Sequence, residues 1–229
     1  MAPKIILHQW EISPFCRKVR KILAAKKLSY TKADYNGLLA LKGRRVGPSG
    51  KLPVLEYNNQ KLEDSTQIFK FLEERHPDPA LLPEDPHERR LVFFLEDWAD
   101  EALFWYEVYF RFEDSAALNK TADIFCQGRP SFEKIPFKLI AGREARKKLK
   151  LQGLSCYHRE EVLEKFRSYL KNLQEQLDGR DWLVGNNMSI ADIAVSSQLD
   201  EMMRTSDVAI QEISRFPTLK AWLDQHSAD

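Results

Sequence analysis

Ser13 and Cys16 stand close together near the start of the chain, in the run Ser13-Pro14-Phe15-Cys16. Their spacing is that of a Cys-Pro-x-Cys redox pair with serine in the first position. Serine cannot form the mixed disulfide such a pair uses. Its hydroxyl can still donate a hydrogen bond to a bound thiolate. Cys16 has two readings. It can be a small buried hydrophobe one helical turn after Ser13, or a reactive thiol whose pKa a helix N-terminus and Arg17 would depress. Downstream lies Gly50-Lys51-Leu52-Pro53-Val54-Leu55. A proline at the head of a strand, after a loop, either simply opens the strand or forms a cis bond. A cis bend leaves nearby backbone groups free to pair with an extended peptide. Next comes Glu63-Asp64-Ser65-Thr66, before an apolar-periodic stretch. Asp64 and Ser65 can cap that helix, or equally grip the charged end of a ligand.

The elements that must hold these residues follow from hydrophobic spacing. Phe15, Val19, Ile22 and Leu23 recur as one helix face, which predicts a helix over 14–27. Ser13 then sits at the N-cap and Pro14 at the first helical position. The hydroxyl would lie beside unpaired backbone N–H groups and the positive end of the helix dipole. Residues 3–9 and 29–35 read as strands and 38–46 as a short helix. Residues 53–57 and 61–62 flank Asn58-Asn59, a hairpin signal. Residues 65–75 are helical, with Ile68, Phe71 and Leu72 on one face. This order implies an α/β sandwich of about four strands.

Four prolines, at 77, 79, 83 and 86, then mark a polar linker over 78–87. It separates an α/β domain (1–77) from an all-α bundle (88–229). Beyond the linker, Leu91, Phe94, Leu95, Trp98, Ala102, Trp105, Tyr109 and Phe112 step by three or four and predict one long helix with those residues facing the core. Tyr106 and Phe110, rotated off that stripe, are better placed for a pocket. Val162, Phe166, Tyr169, Leu173 and Leu177 mark another helix, and Ile190, Ile193, Ala194 and Ser197 begin a third. Residues 125–155, with Pro130, Pro136 and a basic run over 143–150, read as short helices joined by turns.

Bulk composition narrows the function. The chain has 229 residues, 43% hydrophobic and 30% charged, with net charge +1. That is ordinary globular composition, and it argues against a nucleic-acid binder driven by bulk charge. No apolar run approaches the ~20 residues of a membrane span, and the N-terminus lacks a signal-peptide layout. Three cysteines, an odd and sparse set, suit a reducing cytoplasm better than a disulfide framework. The five histidines show no metal-ligand spacing, and no phosphate loop or hydrolase triad signature is present. The basic pairs Arg17-Lys18 and Arg20-Lys21 read as a solvated helix face. Their place near a helix start is unfavourable, which hints at a nearby anion. The 143–150 run suits an acidic partner or a lipid surface, or is simply a helix side.

Taken together, Ser13-Pro-Phe, Lys51-Leu-Pro-Val and Asp64-Ser65 resemble, in order and separation, the thioredoxin-like domain of the glutathione transferase superfamily. Trp182-Leu-Val-Gly185-Asn-Asn-Met-Ser189-Ile-Ala-Asp192 resembles that family's capping segment, with Ser189 at the N-cap and Asp192 reaching back to it. Residues 98–111, the basic run and Leu151-Gln-Gly-Leu-Ser-Cys-Tyr-His158-Arg-Glu-Glu161 resemble a bacterial branch related to metaxin and failed-axon-connection proteins. That branch has Gly-Arg-His where this chain has Cys156-Tyr157-His158.

The resemblance implies a cytoplasmic enzyme of the detoxification type. Glutathione would be its co-substrate, no metal would be needed, and the chain would form a homodimer. Neither nucleic acid nor integral membrane contact is implied. Ser13 would stabilise the glutathione thiolate, with Cys16 as the alternative working residue. Lys51, Leu52, Pro53 and Val54 would hold glutathione, Val54 by pairing its backbone with the cysteinyl unit. Asp64 and Ser65 would hold the γ-glutamyl end. Lys51, Arg44 or Arg45 would meet the glycyl carboxylate. A small hydrophobic electrophile would lie between the domains, against Trp10, Phe15, Trp105, Tyr106 and Tyr109. A non-catalytic scaffold of the same fold, with 125–155 as its interaction surface, is the competing reading, and a thiol-disulfide role through Cys16 a third.

Overall fold

The computed structural model describes residues 3–226. Strand β1 (Ile5–Gln9) leads through Ser13 into helix α1 (Pro14–Ala25), then strand β2 (Thr31–Asp34). A 3-10 turn (Gly37–Leu39) and the short helix α2 (Ala40–Gly43) stand where a single short helix was expected. The hairpin β3 (Val54–Tyr57) and β4 (Gln60–Glu63) follows, then helix α3 (Ser65–Arg75). The sheet order is β2-β1-β3-β4. β1 runs parallel to β2 and antiparallel to β3, and Leu7 pairs Leu55 in the centre. Asn58 and Asn59 both have positive φ, 48° and 70°, as a two-residue hairpin of this hand requires.

The helical part begins earlier than expected. Helix α4 (Pro86–Trp98) starts inside the proline-rich stretch, with Asp85 as N-cap and Pro86 in its first turn. One π turn (Ala99–Leu103) joins it to α5 (Phe104–Phe112). Helices α6 (Ser115–Phe125), α7 (Lys134–Gln152), α8 (Arg159–Gln176), α9 (Ile190–Thr205), α10 (Asp207–Ile213) and α11 (Pro217–His226) complete the bundle. Helix α7 corrects the expectation of broken short helices over 125–155. Pro136 falls in its first turn, where no intrahelical N–H is needed.

Helix α9 is the hub, buried on nearly every side and packed against α1, α4 and α5. Its start is fixed as the sequence predicts. Ser189 N–H and Oγ both donate to Asp192 Oδ2 at 2.8 Å, and Leu183 N–H donates to Oδ1 at 2.8 Å. A cap of this type contributes roughly 1 kcal/mol.

The buried face of α4 and α5 departs from the expected stripe. Val92, Glu96, Ala99, Leu103, Tyr106, Glu107, Phe110 and Arg111 are buried, whereas Phe94 is 73% exposed. The whole face is turned by one residue. The reason is the presence of Glu96, Glu107 and Arg111 on the inner side, which a search for apolar spacing rejects. Their partners lie mainly on α1 and α9. Tyr106 and Phe110 are accordingly core residues rather than pocket residues, packed on Phe166 of α8 at ring distances of 5.5 and 4.8 Å.

The expected solvated face of α1 is also absent. Arg17, Lys18, Arg20 and Lys21 are all buried. Arg17 Nε donates to Glu201 Oε1 at 2.7 Å. Lys18 Nζ sits between Glu96 and Asp100, 2.6 Å from Asp100 Oδ2. Arg20 Nη1 donates to Gln9 Oε1 at 2.9 Å and lies 3.9 Å from Glu11. Lys21 Nζ reaches Asp200, Ser196 and the His226 carbonyl at 2.6 to 2.9 Å. The seam between sheet domain and bundle is therefore ionic. The anion hinted at by the basic pairs is a set of carboxylates on α4, the π turn and α9.

Candidate functional site

Ser13 is 5% exposed and holds the N-cap of α1 in extended backbone, φ −81° and ψ 125°. Its Oγ accepts from Cys16 N–H at 3.3 Å. That bond uses one of the oxygen's two lone pairs, and the single hydroxyl proton, shared here with the Cys16 side chain, is the group able to donate. Ser13 N–H donates to the Trp10 carbonyl at 3.1 Å, closing a tight turn between β1 and α1. The bundle holds this turn from outside: Arg111 Nη2 on α5 donates to the Ile12 carbonyl at 2.8 Å. Arg111 pairs in turn with Glu107 and lies 3.8 Å from Glu201. Burial pushes the Glu107 carboxyl up to about 7, against the pull of the Arg111 guanidinium.

Cys16 is fully buried. Burial raises its thiol to about 11, outweighing the hydrogen bond with Ser13. The depressed thiol considered from sequence is opposed by this burial, which outweighs the hydrogen bonds with Ser13 and the Trp10 backbone and the pull of Arg20. Cys16, Leu52 and Val54 form a small apolar cluster, with Trp10, Tyr35 and Val46 packed on it. This cluster brings the Ser13 turn and the Pro53 segment together.

The Leu52–Pro53 bond is cis. Val54 lies in register with His8 of β1 on one side and Glu63 of β4 on the other. It is flanked by strands on both sides, so it is poorly placed for the pairing expected of it. Leu52, just before Pro53, lies outside the strand register. Glu63 Oε2 accepts from Ser49 N–H at 3.0 Å, and Lys61 Nζ donates to the Val46 carbonyl at 3.1 Å. These bonds tie the 44–51 loop to β4, while Arg44, Arg45 and Lys51 are exposed.

Asp64 caps α3, its Oδ1 accepting from Thr66 and Gln67 N–H at 3.0 Å. Its backbone is unusual, with φ 69° and ψ 124°. A non-glycine residue in such a region costs about 1–3 kcal/mol and is found where function holds it. Asp64 is exposed and Ser65 buried. Nearby, Asp100 faces Lys18 and is pushed up to about 6, chiefly by burial, with Glu96 and Asp64 adding to the rise.

Among the aromatic residues expected in a pocket, Trp10 is half-buried on the Cys16 cluster. Phe15 packs on Phe104 at 5.0 Å, linking α1 to α5. Trp105 and Tyr109 are partly buried against the main core. Phe104, Arg111 and Tyr35, which the sequence reading did not single out, pack on Phe15, the Ile12 carbonyl and the Cys16 cluster respectively. Residues between α6 and α7 also reach the sheet domain. Glu133 accepts from Leu38 N–H at 2.8 Å and pairs with Arg129 at 2.7 Å. Asn36 Nδ2 donates to the Gln127 carbonyl at 3.2 Å. Gly37 has φ 58°, and a Cβ there would strike the Glu133 carboxylate, so glycine is required at this contact.

These features agree with comparisons to known proteins. Residues 7–80 match the N-terminal domain of glutathione S-transferase and residues 157–228 its C-terminal domain. The chain is 24% identical to glutathione S-transferase U7 of Arabidopsis thaliana, covering 95% of this chain and 80% of that protein. It is 26% identical to FtsZ-localized protein A of Caulobacter vibrioides, covering 97% and 86%. The crystal structure of beta-etherase LigF from Sphingobium superposes with a TM-score of 0.70 at 21% identity, covering 99% and 96%. Two family domains in the expected order, on a sheet and bundle of the expected topology, lead to one conclusion: the chain belongs to the glutathione S-transferase superfamily.

Proposed function

We propose that this protein binds glutathione and promotes attack of its thiolate on a small hydrophobic electrophile. The observation that carries this reading is the Ser13 hydroxyl, held at the N-cap of α1 by Cys16 N–H, where its proton can turn from the Cys16 side chain to a bound thiolate. A hydrogen bond to the charged form of a thiol lowers its pKa, and the N-terminus of α1 adds favourable potential for an anion. Leu52 would pair its backbone with the cysteinyl unit. Asp64 and Ser65 would hold the γ-glutamyl amine and carboxylate, which accounts for the unusual backbone at Asp64. Lys51, Arg44 or Arg45 would meet the glycyl carboxylate. The electrophile would lie against Trp10, Phe15 and Phe104, with Trp105 and Tyr109 at the margin. The protein's task is then to form and position the thiolate, and no metal enters the reaction.

The same reading takes the chain as a cytoplasmic homodimer. Among the described residues no helix is long and apolar enough to cross a membrane. An apolar groove between α4 and α8, lined by Leu91, Leu95, Trp98, Tyr169 and Leu173, with Phe94 exposed beside it, supports a covered face there.

Calorimetric titration with glutathione and turnover of a generic electrophile test the reading. Ser13→Ala should lower the rate by roughly ten- to a thousand-fold, the scale of losing one aimed donor. Unchanged turnover would remove Ser13 from the mechanism.

A second reading, a non-catalytic scaffold, is favoured by the similarity to a protein named for its localisation with FtsZ. Millimolar glutathione that leaves the melting temperature unmoved would favour it, since a ligand of the folded state must stabilise that state. A redox role for Cys16 is disfavoured by its burial and its thiol raised to about 11.

A further inference from the structure

Helix α7 is matched to the protein on one face only. Gly142, Ala145 and Leu149 are its buried residues, and it packs through them against α5 and α6. The side turned away from the bundle combines two features. Leu139 and Ile140 are 70 and 64% exposed there, and Phe132, just before the helix, is 63% exposed. Further along stand Arg143, Arg146, Lys147, Lys148 and Lys150, all exposed, with Glu144 the single acid in the helix. Among the described residues none of these five makes an ion pair, whereas Lys134 at the helix start is matched by Asp123 at 2.7 Å.

Scattered exposed apolar side chains need no explanation, but a cluster beside unmatched charge does. The chain as a whole has a net charge of only +1, so the positive potential is local to α7. Its reach is about one Debye length, ~8 Å in physiological salt. The side chains project from a convex helix rather than line a groove, and the helix is about 28 Å long at 1.5 Å per residue. Basic residues beside projecting aliphatic ones suit an anionic lipid surface, whose phosphates attract the charges and whose acyl boundary takes the apolar side chains.

We propose that α7 docks this protein on an anionic lipid surface. Arg143, Arg146, Lys147 and Lys150 sit among lipid phosphates, and Leu139 and Ile140 enter the boundary between headgroups and acyl chains. A nucleic acid would use the charges but leave these aliphatic side chains in water.

Co-sedimentation of the whole protein with vesicles tests this. One set is phosphatidylcholine alone, and the other is phosphatidylcholine mixed with phosphatidylglycerol. Retention is expected only on the mixed vesicles, and it should weaken as salt is raised. Each of Arg143→Gln, Arg146→Gln and Lys147→Gln should weaken partition about fivefold, and the triple variant roughly a hundredfold. Leu139→Asn with Ile140→Asn should remove whatever binding survives at high salt. Lys171→Gln, an exposed charge on α8, should change nothing. The salt titration needs no variant, so a folding defect cannot mask the answer. Partition that ignores phosphatidylglycerol, or a triple variant that binds like the unmodified protein, overturns the proposal. Retention on poly-glutamate or on DNA without retention on mixed vesicles also overturns it.

Discussion

Helices α1 and α7 carry similar runs of basic residues, and the fold treats them in opposite ways. On α1, Arg17, Lys18, Arg20 and Lys21 are buried, and each meets a carboxylate from outside its own helix. On α7, Arg143, Arg146, Lys147, Lys148 and Lys150 are exposed, and among the described residues none of them forms an ion pair. The difference lies in what the chain places opposite. Helix α1 faces Glu96 on α4, Asp100 in the π turn, and Asp200 and Glu201 on α9. Helix α7 turns its basic face away from the rest of the protein. A basic run therefore has no fixed meaning in a sequence. It is structural where acids arrive from elsewhere in the chain, and available to a partner where they do not.

The sharpest way to break this comparison is to delete one charge from each helix. Lys18→Ala leaves Glu96 and Asp100 facing each other without their cation. Breaking a buried pair costs about 3–5 kcal/mol, and denaturant unfolding should show a loss of that order. Lys147→Ala on α7 should lie within about 0.5 kcal/mol of the unmodified protein. Equal effects would erase the distinction.

A smaller effect is expected where the ionic seam touches the site. Arg111 holds the Ile12 carbonyl, and so fixes the turn that carries Ser13. Arg111→Gln should lower glutathione-dependent turnover roughly ten- to a hundredfold, the scale of a small misplacement. Arg167→Gln, which loses its 2.7 Å contact with Glu212 far from that turn, should leave turnover near normal. Comparable losses in both variants would make Arg111 a stability residue only.

The smallest effect is a slope with pH. Burial holds Glu107 up at about 7 and Asp100 at about 6 in the folded protein. In the unfolded chain both carboxyls lose their protons near pH 4. Between those values the folded state binds more protons, so stability falls as pH rises through about 6 and 7. Glu133 and Glu212 are lowered by their Arg129 and Arg167 partners, and their contribution is lost only as pH falls through the acid range. The melting temperature should therefore decline from pH 5.5 to pH 8, and Glu107→Gln should flatten the upper part of that decline. A melting temperature that rises over this interval would contradict the buried-carboxylate account.

The sheet domain was legible because its signals are local. Ser13 and Pro14 announce the start of α1, and Asn58-Asn59 the hairpin, just as Ser189 with Asp192 announces the start of α9 in the bundle. The bundle was less legible for a physical reason. Its inner face carries Glu96, Glu107 and Arg111, so apolar spacing selects a neighbouring face and misplaces Tyr106 and Phe110. Those charges become intelligible only beside partners far away in sequence or within the bundle: Lys18 for Glu96, Glu201 and the Ile12 carbonyl for Arg111, and Arg111 for Glu107. Arg111 and Phe104 escaped notice on the same ground, since each acts on α1 or its preceding turn from the bundle. Pro130 and Pro136 suggested breaks, yet one precedes α7 and the other falls in its first turn. Leu52 was expected among the glutathione contacts. Its precedence over Val54 required the strand register.

The central claim is that Ser13 stabilises a glutathione thiolate. Ultraviolet absorbance of the thiolate, followed across pH for glutathione bound to the protein, tests it most directly. The account predicts a bound thiol that ionises well below the ~8.5 of a free cysteine thiol, and a return toward that value in Ser13→Ala. Glutathione that fails to bind, or that ionises identically in both proteins, would contradict it.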